Sequence, residues 1–247
     1  MTGVQTCALP ILKNSSNDIY INGEYFKNNP HWDITDAKWK VEIVFKLLQK
    51  NNIHPQEVME IGCGAGGNLH ELSKKDPGIK KLMGYDISPQ AIALANKNSS
   101  DRITYFNEDL AAADNILTNL LLVIDVIEHV DDFYGFLRQL KMKSEHFIFH
   151  IPLDLSCRTV MKPQVLLQQR KSVGHIHYFS AATAAWALSD TGYEIVDRVY
   201  TKPVVDTERP RSIKRLVKFI LRNISFAINK EWSVKKWGGY SIMILAK

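Results

Sequence analysis

The sequence predicts a doubly wound α/β fold, a mostly parallel sheet with helices on both faces. Short apolar runs alternate with segments of helical period along most of the chain. Alternation at that spacing builds parallel strands joined by helices. The first run, Val58–Ile61, leads straight into Gly62-Cys63-Gly64-Ala65-Gly66-Gly67. Later runs stop at acids, Asp86, Asp109 and Asp125. Such endings line one rim of the sheet, where open α/β folds bind ligands.

The elements follow in order. Residues 33–50 place Val41, Val44, Phe45 and Leu48 at helical spacing. Strand one is expected at about 57–61 and a helix at 67–75, its N-terminus facing a ligand over the glycines. Strand two spans 80–85, a helix 89–98, strand three 102–106 and strand four 119–124. A helix around 131–141 leads to strand five, 145–151, closed by Pro152. Residues 159–171 are expected to be helical. Ser180 suits the N-cap of a helix over 181–190, and Gly192 its end. Residues 193–200 read as strand six and 240–246 as strand seven.

A length of 247 residues suits one α/β domain with insertions. The composition, 45% hydrophobic and 23% charged, is ordinary for a globular protein in water. No apolar run reaches the ~18 residues of a spanning helix. Cys7, Cys63 and Cys157 give neither a disulfide framework nor a zinc spacing, so a reducing cytoplasm is the expected compartment. Met1–Ile11 back-translates to a common sequencing-adapter oligonucleotide, and it lacks the basic start and apolar core of a signal peptide. An assembly artefact is expected there. The organisation read from the sequence is that leader over 1–11, an N-terminal helical cap over 12–52, and a ligand-binding domain over 53–247 with a basic insertion at about 203–236.

The net charge of +5 is local in origin. Residues 209–236 hold nine Lys and Arg against one acid, Glu231, so the rest of the chain is net negative. Within the insertion, Ile213, Leu216, Val217, Ile220, Ile224 and Ala227 share one helical face, and Lys214, Lys218, Arg222, Ser225 and Asn229 the other. The plain reading is a helix packed on the sheet or against another subunit. The sharper one is peripheral membrane contact through residues 209–230. No nucleic-acid partner is expected, and the sequence does not set the oligomeric state.

Glycines at this spacing let the chain turn tightly and bring a ligand against bare backbone. The cluster alone fits a nicotinamide cofactor or another adenosine-bearing ligand. Asp86 lies some twenty residues further on, the usual place of a ribose-binding carboxylate. Asp109 ends the third strand, placed to accept from an adenine amino group. Leu120–Ile124 ends in Asp125-Val-Ile-Glu128-His129-Val130.

Together these motifs resemble class I S-adenosylmethionine-dependent methyltransferases over roughly residues 40–200. Glu60-Ile-Gly-Cys-Gly-Ala-Gly-Gly67 is similar to that family's first motif, Gly84-Tyr-Asp-Ile-Ser88 to its ribose motif, and Asn107-Glu-Asp-Leu110 to its adenine motif. Asp125–Val130 is typical of relatives of the ubiquinone-biosynthesis O-methyltransferases. The resemblance implies a Rossmann-like seven-stranded sheet of order 3-2-1-4-5-7-6 with strand seven antiparallel. It implies methyl transfer from S-adenosylmethionine to a small-molecule acceptor: a phenol, a quinone precursor or a sugar hydroxyl. Glu60 would meet the cofactor's ammonium group or bond to backbone. Gly62, Cys63, Gly64 and Gly66 would form the loop beneath it. Asp86 and Ile87 would hold the ribose, Asp109 and Leu110 the adenine, with Asp125 on the same rim. His129 is the candidate base, and Glu128 would orient it or hold a metal ion. His150, His175 and His177 are expected to approach that pocket. Trp32 and Trp39 either close over the cofactor or simply pack. Relatives of the ubiquinone enzymes sometimes need a divalent cation, but no spacing here defines a metal site. The rival readings are a nicotinamide-dependent oxidoreductase and a non-catalytic S-adenosylmethionine-binding protein.

Overall fold

In the computed structural model, the described residues are Tyr20, Gly23, Lys27, 34–111, 117–203 and 213–247. The suspected leader and Trp32 lie outside them. Helix α1 (Ile34–Lys50) precedes β1 (Glu57–Ile61), α2 (Gly67–Lys75), β2 (Lys81–Tyr85), α3 (Pro89–Ala95), β3 (Ile103–Phe106) and β4 (Thr118–Ile124). After a single 3₁₀ turn (Ile127–His129) come α4 (Phe133–Leu140), β5 (Ser144–Pro152), α5 (Cys157–Val160), α6 (Gln164–Ser172), α7 (Ala181–Asp190) and β6 (Ile195–Thr201). Helices α8 (Ile213–Ile228) and α9 (Lys230–Trp237) lead into β7 (Ser241–Ala246).

The seven strands form one sheet of order β3-β2-β1-β4-β5-β7-β6. β1 to β5 pair in parallel, and β7 runs antiparallel between β5 and β6. Neighbouring residues on a strand face opposite ways, and both faces here are covered. Val58, Leu120, Leu122 and Ile148 pack with Val41, Val44, Leu69 and Leu72 of α1 and α2. Met59, Leu121, Val123, Phe147 and Phe149 pack with Leu137, Leu188 and Tyr193 on the other side. Burial on both faces explains why these strands read as unbroken apolar runs. It also ties α1, at the end of the expected cap, into the main core.

One expected helix differs in detail. The segment around 159–171 is split, because Pro163 cannot continue a helix begun upstream and instead caps α6. The short α5 is closed by a reciprocal capping box between Ser156 and Thr159.

The larger correction concerns α8, whose apolar face does not pack on the sheet. The opposite face turns inward. Arg222 is 5% exposed, donates to the carbonyls of Gly238 and Gly239, and lies over the Tyr240 ring. Phe226 stacks on that ring, and Ser225 joins Ser233 and the Trp237 indole N–H. A buried guanidinium needs such acceptors, so they fix the helix's rotation and leave its apolar stripe outside.

Candidate active site

The carboxyl ends of β1, β2, β4 and β5 open into one cavity of about 660 Å³. Its wall joins Gly62, Cys63, Gly64, Gly67 and Asn68 after β1, Asp86 and Ile87 after β2, and Asp109 after β3. Asp125, Glu128 and His129 follow from β4, and His150 and His175 complete one side. Asp36, Ala37 and Lys40 of α1 and Tyr20 close over it.

The glycine loop is shaped by its protein neighbours. Gly62 has φ +67°, and a Cβ there would come within 2.7 Å of the Val126 side chain. Gly66 has φ +77°, and a Cβ would lie 2.5 Å from the Tyr105 ring, whose hydroxyl donates to the Gly66 carbonyl at 3.0 Å. Gly66 thus serves packing, while Gly67 and Asn68 face the cavity. Leu110 is fully buried in the core and is not in the cavity wall.

Asp86 is set by two backbone donors. Its Oδ2 accepts from Gly64 N–H at 2.9 Å and its Oδ1 from Ser88 N–H at 2.8 Å. Burial pushes this carboxyl up, and the two bonds oppose that shift. Each oxygen keeps a lone pair for a diol. Asp109 is exposed at the cavity edge, and its Oδ1 accepts from Ala111 N–H at 2.9 Å. Residues 112–116, a little further on, lie outside the described residues.

Glu60 stands behind this wall. Its Oε1 accepts from Asn68 Nδ2 at 2.7 Å, and its Oε2 is buried with no hydrogen-bond partner. Burial pushes the carboxyl up to about 8, with the Asn68 bond and the Lys40 charge opposing. The folded chain thus holds a proton that the unfolded chain loses near 4.5. Stability conferred by that proton is complete below about 4.5, falls as pH rises towards 8, and then levels. Glu60→Gln is expected to change stability little at pH 5 and to raise it at pH 9 by about 3–5 kcal/mol. Urea unfolding at both pH values checks this, and an equal effect at both would contradict it.

Asp125 has φ +53°. It pairs with Lys40 at 2.8 Å and with His150 Nδ1 at 2.7 Å; Lys40 also meets Asp36 at 3.0 Å and His150 Nε2 meets Thr201 at 2.9 Å. Burial would raise the Asp125 carboxyl, but His150 and Lys40 hold it well below the usual range. Burial alone would lower the Lys40 ammonium, and its two carboxylates raise it instead. Asp125 is thus engaged by Lys40 and His150 as well as facing the cavity. Trp39 packs edge-on to His150 and is not in the cavity wall.

The fourth motif forms a tight turn, and its residues divide by role. The Glu128 backbone carbonyl accepts from Ile176 and His177 N–H. Both Glu128 carboxyl oxygens are buried without a hydrogen-bond partner, and burial, then Asp125, push its pKa well up. His129 Nδ1 lies 3.1 Å from the Gly174 carbonyl, which can only accept, so Nδ1 carries the proton and Nε2 the lone pair. Burial and the neighbouring His175 bring His129 down to about 4. His175 Nδ1 lies 2.7 Å from Asp154 Oδ2. Glu128, His129 and His175 each offer a donor atom, and these lie within 4.8 Å of one another. The sequence spacing had defined no metal site; the fold assembles these three from two separate loops. His177 instead contacts the carbonyls of Val130 and Asp131. Asp154, Lys40, Asn68 and Tyr20 had no motif signal. The nearest was His-x-His at 175–177 for the loop that Asp154 supports.

Fold and site define an α/β protein with a nucleoside-sized crevice at a switch in strand order. Residues 35–198 match the family described as Methyltransferase domain, and the chain belongs to that family. It is similar to the magnesium protoporphyrin IX methyltransferase of Synechocystis PCC 6803 crystallised with bound S-adenosylhomocysteine, with a TM-score of 0.57 and 17% identity over 85% of this chain and 82% of that one. A Nostoc punctiforme PCC 73102 chain named as an O-methyltransferase gives a TM-score of 0.65 and 12% identity over 96% of this chain and 64% of that one. Likeness at such identity is likeness of fold. A Methanocaldococcus jannaschii protein named for N5-glutamine methyltransferase activity is 38% identical over 69 residues, 26% of this chain and 34% of that relative. The chain therefore spans about a third of that relative's length.

Proposed function

We propose that the protein transfers the methyl group of S-adenosylmethionine to a hydroxyl of a small-molecule acceptor. The observation that carries this reading is a single cavity with two unlike ends. One end offers bare glycine backbone and the acids Asp86 and Asp109; the other offers Glu128, His129 and His175. The volume falls within the usual range of small-molecule sites. Asp86 would accept from the ribose hydroxyls, Asp109 would meet the adenine, and Asn68 with Glu60 behind it would face the amino-acid end.

Methyl transfer is an in-line displacement. The carbon–sulfur bond breaks as the carbon–oxygen bond forms, and the sulfonium becomes a neutral thioether. Positioning and exclusion of water supply most of the acceleration. The acceptor's proton must also leave. His129, neutral with its Nε2 lone pair free, would hold the hydroxyl by accepting its hydrogen bond. Glu128, whose neutral form burial favours in the free protein, would orient the hydroxyl or, once ionised, help hold a cation beside it.

A divalent cation fits the same corner. Glu128 has two buried oxygens without hydrogen-bond partners, and His129 and His175 each commit Nδ1 elsewhere, leaving Nε2. Asp154 would fix the orientation of His175, as carboxylates behind metal-ligating histidines do. Glu128, His129 and His175 would hold the ion, which when bound would lower the acceptor hydroxyl's pKa.

A labelled-methyl assay with panels of phenols, sugars and amines, with magnesium or with chelator, tests the reading. Label in a phenol or sugar is the expected result. Label in amines alone would replace hydroxyl transfer by N-methylation, and tight S-adenosylhomocysteine binding with no acceptor in any class would support a non-catalytic protein.

A further inference from the structure

The outer face of α8 exposes a row of large apolar side chains, the kind of surface that marks an interaction site. Leu216, Val217, Ile220, Leu221 and Ile224 are between 44 and 52% exposed, and Ile213 and Ile228 at the ends are about 80% exposed. At 100° per residue these positions span one arc of about 140°. The bonds of Arg222 to Gly238 and Gly239 prevent the helix from rolling that arc inward. The neighbouring α5, joined to this region through α9, ends in Val160 and Met161, both exposed.

A cationic cluster borders this surface. Arg158, Lys162 and Lys218 are close enough that the first two, together with burial and Arg222, lower the Lys218 ammonium. None of the three has an acidic partner among the described ion pairs. Basic side chains held together without acids call for an external anion.

We propose that this face docks on an anionic lipid bilayer, with α8 lying in the interfacial plane and Arg158, Lys162 and Lys218 meeting headgroup phosphates. Apolar side chains at the headgroup boundary beside basic ones are the pattern of interfacial helices. No helix among the described residues is long and apolar enough to cross a membrane, so the contact is peripheral. A second copy fits less well. A two-fold interface sets the same patch against itself, which would bring the cations together with no acid between them. A nucleic-acid partner would leave the aliphatic arc in water.

Flotation of the full chain with vesicles tests the surface. Phosphatidylcholine vesicles with about 30% phosphatidylglycerol are compared with phosphatidylcholine alone, at about 50 mM and about 500 mM salt. Binding to the anionic vesicles at low salt is expected, falling severalfold at high salt and in pure phosphatidylcholine. Two triple variants, Leu216→Ser/Ile220→Ser/Ile224→Ser and Arg158→Glu/Lys162→Glu/Lys218→Glu, should each lose at least about tenfold. Both should keep the parent's Tm and S-adenosylhomocysteine affinity, which separates loss of docking from loss of fold. No flotation at low salt overturns the proposal. So does a dimer by light scattering that the serine variant dissociates, or retention on DNA without vesicle binding.

Discussion

Replacing Asp86 by alanine should weaken S-adenosylhomocysteine binding by about 100- to 10,000-fold. Two hydrogen bonds from ribose hydroxyls to one carboxylate are worth about 1.5–3 kcal/mol each, and every 1.4 kcal/mol is tenfold in affinity. The carboxylate is already aimed by Gly64 and Ser88 N–H, so little reorganisation is needed on binding. Alanine removes those acceptors too, and the loop could loosen. Asp86→Asn separates the effects: it keeps the volume and one acceptor oxygen, so its loss should be smaller and its melting temperature closer to the parent's. Calorimetric titration of both variants checks this. Parental affinity in Asp86→Ala would show that the ribose is held elsewhere.

Replacing Glu128 by glutamine should lower kcat by about 100- to 10,000-fold with cofactor affinity intact. Glutamine has nearly the same shape but no carboxylate to help hold a cation beside the acceptor hydroxyl. Burial already favours the neutral form of Glu128, so folding should not suffer. The readout is split: turnover collapses, S-adenosylhomocysteine affinity stays, and Tm stays or rises. Loss of cofactor binding instead would place Glu128 in the cofactor half of the cavity. Unchanged turnover would remove it from activation of the acceptor altogether.

These two effects divide along the line that separates what the sequence shows from what only the fold shows. The cofactor half is written locally. Gly62, Gly64 and Asp86 follow directly from strand ends, and a buried strand leaves little choice about where its last residue points. The acceptor half is assembled from distant segments. His175 reaches Glu128 and His129 across a loop whose course depends on Gly174 and on the Glu128 carbonyl receiving Ile176 and His177 N–H. Lys40 reaches Asp125 from a helix preceding the first strand, a pairing no local pattern encodes.

The strands were legible as apolar runs, and their order through the resemblance that the motifs carry to a known family. The helix boundaries were less so. Pro163 divides one expected helix, and a capping box sets the short one before it. The direction of α8 was not legible at all. Its sequence is amphipathic, and amphipathicity normally points the apolar side inward. Here Arg222, Ser225 and Phe226 make the better inward set because the Gly238 and Gly239 carbonyls, Ser233 and the Tyr240 ring await them.

The most direct test of the account is a crystal structure of the protein with S-adenosylhomocysteine. The account predicts the nucleoside in the cavity beyond β1 and β2, its ribose hydroxyls within hydrogen-bond distance of the Asp86 carboxylate and its sulfur directed towards Glu128 and His129. A nucleoside bound outside that cavity, or seated there with Asp86 contacting only Gly64 and Ser88, would contradict it.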